Sequence, residues 1–153
     1  MTPEQFVKNL AQMAVDVNKF INDTGPGGAP TIVGKTAVDF FTQNFDRQGF
    51  LNRGLTPWPD VKRRTHPPKK SKHPTDAVRK ILIGHNMEGG FLKRSISYDP
   101  QPGNVTVFSD AHYAPYHNEG TPKIPKRQFI GDSAEMDKLI DAELERKLKN
   151  IIK

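Results

Sequence analysis

The stretch SISYDPQPGNVTVFSD, residues 95–110, decides the fold class. Ile96 and Tyr98 fall on one face of an extended segment, and Val105 and Val107 alternate with Thr106 and Phe108. The intervening PQPGN is a turn. The pattern predicts a β-hairpin with a loop of several residues. Without it the chain would read as helices and loops alone.

Outward from the hairpin, helices dominate. At the N-terminus Thr2 can cap a helix, Pro3 suits its first position, and Gln5 sits where a capping box returns its bond. Phe6, Leu10, Met13, Val17 and Phe20 follow at helical spacing, with Ile21 beside them. NDTGPGGAP ends that helix and reads as a flexible linker. A second helix is expected from about Thr31 to Asp46, with Val33, Ala37, Phe40, Phe41 and Phe45 on one face; Gly34 weakens its first turn. Residues 47–75 lack apolar periodicity, and Pro57, Pro59, Pro67, Pro68 and Pro74 deny them a regular helix, so they read as a long basic Pro-rich loop. Trp58, between two prolines, reads as an anchor that pins this loop to the core. DAVRKILIGH is a short apolar run of ambiguous type.

C-terminal to the hairpin, AHYAPYHNEG allows at most a short helix ending at Gly120. IPKRQFIG could add a further strand. A last helix begins at Asp132 or Ser133; if Asp132 caps it, Glu135 falls at the capping-box position. Met136, Leu139, Ile140, Leu144, Leu148, Ile151 and Ile152 then form an apolar stripe that must bury itself on the sheet or on a neighbouring subunit. The order predicts one α+β domain over 1–153: two N-terminal helices, a long basic loop, a small antiparallel sheet, and a C-terminal helix packed on that sheet.

Composition narrows the chemistry. The 153 residues suit one core, and the absence of cysteine excludes disulfides, thiolate–metal sites and cysteine nucleophiles. No apolar run approaches a membrane span, and the N-terminus reads as an amphipathic helix rather than a signal peptide, so a cytoplasmic setting and no membrane partner are expected. The net charge of +6 is concentrated in Lys62, Arg63, Arg64, Lys69, Lys70, Lys72, Arg79 and Lys80, opposed there only by Asp76. These eight are candidate contacts for DNA or another polyanion, or else a solvated loop.

The residue types of the chain raise four chemical readings. His112 and His117, with Asp110 and Glu119, could ligate zinc if His85 supplied a third histidine, but Pro115 lies between them and the spacing is not that of a helical pair. His85–Asn86 and His117–Asn118 invite comparison with His–Asn–His nucleases, yet the required hairpin and helix cannot be assembled from them. Ser95, Ser109 and Ser133 lack a nucleophile elbow. Gly25–Gly28 lacks the lysine and hydroxyl of a phosphate loop. No catalytic residue, metal or cofactor is expected.

Three fragments stand in order: GFLKRSI (90–96), the pattern Tyr-Ala-x-x-His-x-x-Gly in HYAPYHNEG, and IPKRQFIG. Together they resemble the phage virion morphogenesis and tail completion family of tailed bacteriophages, including the Mu-like morphogenesis proteins. The residues that carry the resemblance are Gly90, Leu92, Ser95, Tyr113, Ala114, His117, Gly120, Pro125, Arg127, Phe129 and Gly131; a central tryptophan like Trp58 is also common in the family. It implies a neck- or tail-terminator-like fold and a non-enzymatic structural protein of a phage or prophage. Such a protein acts in tail completion or head–tail joining, sits in the virion after assembly in the host cytoplasm, and self-associates as a ring, often of six. Expected partners are tail tube, tail terminator or head connector proteins, with non-specific contact to phage DNA through the basic loop. On this reading Tyr113 and His117 are core or interface residues whose polar atoms satisfy backbone groups, and Gly120 supplies a special backbone conformation.

Overall fold

The computed structural model describes residues 1–70, 77–84 and 91–153. Of the residues singled out above, Lys72, Asp76, His85, Asn86 and Gly90 lie outside them, as does Pro74. The chain is α+β, and the described residues form ten elements in order: α1 (Pro3–Asn22), α2 (Ala29–Arg47), β1 (Gly49–Leu51), β2 (Leu55–Pro57), α3 (Lys62–Thr65), α4 (Phe91–Arg94), β3 (Ile96–Gln101), β4 (Asn104–Ser109), α5 (Ala114–Glu119) and α6 (Ala134–Ile151). β1 pairs with β2 and β3 with β4, each as a separate two-stranded sheet. The chain divides into two compact units, one of residues 1–37, 98–107 and 136–153, the other of residues 38–97 and 108–135.

In the first unit, α1 starts on the expected capping box: Gln5 N donates to Thr2 Oγ1 (3.2 Å) and Thr2 N to Gln5 Oε1 (2.9 Å). The linker to α2 is a tight turn rather than an open one. Gly25 N donates to Asp23 Oδ1 (2.8 Å), and Gly28 lies so close to the Asp23 carbonyl that no Cβ would fit. Pro30 falls in the first turn of α2, where a missing N–H leaves nothing unpaired. Gly34 does more than weaken that turn. A Cβ there would collide with the Tyr98 ring and stand 2.9 Å from Val105 Cγ2, so the glycine is where the hairpin meets the helix. The hairpin loop is two residues, Pro102 and Gly103, and not the several expected. Gly103 adopts φ +70, which lets the strands run on through Gln101 and Asn104, and its N–H donates to Ile21 O (3.1 Å). Tyr98, Val105 and Val107 take the half-buried positions of the alternation.

In the second unit, Phe40, Phe41, Asn44 and Phe45 of α2 are buried with Phe50, Trp58, Leu92 and Phe129. Phe45 lies edge-on to Trp58 (5.4 Å between centroids) and tilted against Phe129 (5.3 Å). The described part of the expected loop is not structureless: residues 49–65 contain β1, β2 and α3. Phe50 pairs opposite Thr56, and a three-residue turn with Arg53 at φ 53 and Gly54 at φ 114 closes the pair. Pro57 ends its strand, where the lost donor breaks no central ladder.

α6 begins at Ala134, so the expected capping box of Asp132 and Glu135 is out of register: Asp132 lies one residue before the cap position. The tip of β1–β2 serves the helix start instead. Ala134 N donates to Asn52 Oδ1 (3.1 Å), while the Glu135 carboxylate accepts from Arg53 N (2.9 Å) and Gly54 N (3.2 Å). Those donors hold the Glu135 carboxyl below the usual carboxylate range, the Arg53 N–H contributing most.

Candidate functional site

The described resemblance residues, all but Gly90, lie in the second unit. α5 carries Pro115 in its first turn and stops at Gly120, φ +79. A side chain at Gly120 would press on the backbone of Lys126 (2.9 Å to its N). The glycine thereby lets the chain double back: Arg127 N donates to His117 O (2.7 Å). The segment after the turn is irregular, not the further strand expected. Its backbone donors are taken by a side chain, since Asn118 Oδ1 accepts from both Phe129 N (2.9 Å) and Ile130 N (3.0 Å). Pro125 has no donor to offer a ladder.

Arg127 is buried, and its guanidinium grips backbone: Nε donates to Pro59 O and an Nη to Asp60 O, both at 2.8 Å. Beside it Trp58 Nε1 donates to Gln128 O (2.7 Å), so Trp58 is the anchor its flanking prolines suggested. Asn44 Nδ2 donates to Phe129 O (3.2 Å) from a fully buried position. Ser95 Oγ donates to Leu92 O (2.7 Å) and meets Ser109 Oγ at 2.5 Å, which closes the base of the hairpin. Leu92, Ala114 and Phe129 are core residues. Each of these groups is committed to holding backbone or filling space.

His117 departs from its expected role. Its carbonyl is used, but its Nδ1 is buried without a hydrogen-bond partner. Burial, and secondarily the Arg127 charge, hold its pKa below the ordinary histidine value. Tyr113 stands edge-on between the rings of His112 (5.3 Å) and His117 (6.2 Å). Asp110, His112 and Glu119 are exposed, and among the described residues no group of three histidine or acidic side chains could hold a metal.

The structure sorts the basic residues into two kinds. Arg63 donates to the carbonyls of Arg79 (2.9 Å) and Lys80 (3.0 Å), and Arg64 donates to the Arg79 carbonyl (2.6 Å) while pairing with Asp60 (3.4 Å). Arg79 is itself buried. From the other side, Gln48 holds Ile81 by both its N–H and its carbonyl. Lys62, Lys69, Lys70 and Lys80 remain exposed.

Apolar surface is concentrated elsewhere. Only Phe20 of α1 is buried, whereas Phe6, Val7, Leu10 and Ile21 are exposed. No residue of α6 is buried; its stripe is half-covered, with Leu139 and Ile152 exposed. Phe6, Leu10 and Met13 line an open groove of about 510 Å³ with Ile151 and Ile152. Among the described residues no helix is long and apolar enough to cross a membrane.

Sequence reasoning missed Asn44 and Gln48, and it named Asn118 and Glu135 for a nuclease pair and a capping box rather than for the backbone bonds they make. Only Asn44 left a signal, as an amide among the phenylalanines of the α2 apolar face. The chain matches no family model, and no curated protein or solved structure is significantly similar to it.

Proposed function

We propose that this protein is a non-enzymatic structural component of a tailed phage or prophage particle. It acts in tail completion or head–tail joining by self-association into a ring. The observation that carries the reading is the open apolar face of α1. Phe6, Leu10 and Ile21 recur on one side of a well-capped helix and stay in solvent. A folded chain that keeps such a face is built to cover it with another chain. The ordered fragments of residues 90–131 support the assignment to virion assembly, because most of their described signature residues hold backbone or fill the core.

Two experiments test the reading. Sedimentation of the purified protein across a range of concentrations should give a monomer that passes to a closed oligomer. Electron microscopy of particles made without the gene should show defective tails or unjoined heads; finished, infectious particles would overturn the proposal.

A further inference from the structure

We propose that the surface around α3 binds single-stranded nucleic acid, with exposed lysines on the phosphates and Phe91 under a base. The inference stands on the second unit alone and is independent of self-association. Arg63 and Arg64 staple α3 to the carbonyls of Arg79 and Lys80, which brings Lys62 and Lys80 into one patch. Lys69 and Lys70, also exposed, follow within five residues of the end of α3 in the sequence. No carboxylate occurs among residues 61–70 and 77–84, and the neighbouring Asp60 is paired with Arg64. The arginines are engaged with the protein, so the cations left for a ligand are lysines. These are mobile point charges that suit phosphate contact and read no base.

Phe91 supplies the second element. Its side chain is 75 % exposed, and it lines an open groove of about 300 Å³ together with Val61, Arg63, Ile83 and Gly84. The Arg94 guanidinium lies 5.7 Å from the ring centroid. An exposed ring beside a lysine track is the arrangement that stacks an unpaired base, whatever its identity. A duplex hides its base faces from such a ring. With only four residues, α3 is also too short to read a major groove.

Anisotropy with a labelled oligothymidine of about 20 nucleotides and a duplex of the same length tests this with the full chain. The single strand should bind more tightly than the duplex. Its log affinity should fall with log salt at a slope of about −3, for four engaged lysines. Lys62→Gln with Lys80→Gln should reduce that slope by about 1.4. Phe91→Ala should weaken binding about 10-fold with the slope unchanged, and Phe91→Tyr should restore it. All three replaced side chains are exposed, and thermal melts confirm that the variants fold. No binding at low salt would overturn the proposal. So would equal affinity for the duplex with no effect of Phe91→Ala, or equally tight binding of polyglutamate.

Discussion

α1 and the second half of α2 begin from the same sequence pattern and end in opposite environments. Each sets phenylalanines at helical spacing along one face. Phe40, Phe41 and Phe45 are sealed against Trp58 and Phe129, while Phe6 is 54 % exposed and only Phe20 of α1 is buried. Amphipathicity fixes that a helix forms and which face is apolar. Whether the face is covered depends on what the rest of the chain brings to it. For α2 the cover comes from the Trp58 anchor and the Arg127 clamp; for α1 the chain brings far less.

The sharpest test of this contrast is a pair of truncations. Phe45→Ala opens a cavity in a sealed core and should destabilise the protein by about 3–5 kcal/mol in denaturant unfolding. Phe6→Ala should change the monomer's stability by no more than about 0.5 kcal/mol. It should still weaken self-association about tenfold or more in sedimentation, if its face is the interface core. Equal destabilisation by the two would break the comparison.

Intermediate effects come next. Asn44→Ala leaves the Phe129 carbonyl buried without its donor, and should lower stability by about 1–3 kcal/mol. Gly34→Ala should cost about as much, ~1–3 kcal/mol, because the Tyr98 ring must move, although alanine is the better helix former.

The smallest effects are read by pH. The His117 pKa is lowered in the folded state, so the unfolded chain binds more protons below the ordinary value of 6.5. Stability should be full above that pH and decline as pH falls towards the folded value. Glu135 is also lowered, but from 4.5, so its contribution is lost only as pH falls below that. His117→Gln should flatten the decline near neutrality and leave the acid limb, and Glu135→Gln should do the reverse. Melting temperatures across pH 3–8 (about the span of maximal stability and acid unfolding) separate the two.

Legibility in the sequence followed the range of the interactions. The α1 capping box, the α2 apolar face and the 95–110 hairpin rest on residues a few positions apart, and each formed. The β1–β2 pair did not announce itself, because three-residue strands carry too little alternation and their turn depends on Arg53 and Gly54 backbone geometry. IPKRQFIG has the composition of a strand, but Asn118, eleven residues from Phe129, takes its donors. A run of lysines and arginines shows charge and not direction. Nothing local says that Arg63 and Arg64 turn inward while Lys62 and Lys80 turn out.

The capping of α6 by the β1–β2 tip has a kinetic consequence. Asn52 and Ala134 are 82 residues apart, so the bonds that start the last helix require a long loop to close. Contacts of that separation come late in folding and slow it. The first unit, too, is completed only by the segment from residue 136 onward. As the chain emerges from the ribosome, α1 therefore presents its phenylalanine face long before α6 exists. In the interval between them the apolar face of α1 is open to mispairing with a chaperone or a neighbouring nascent copy.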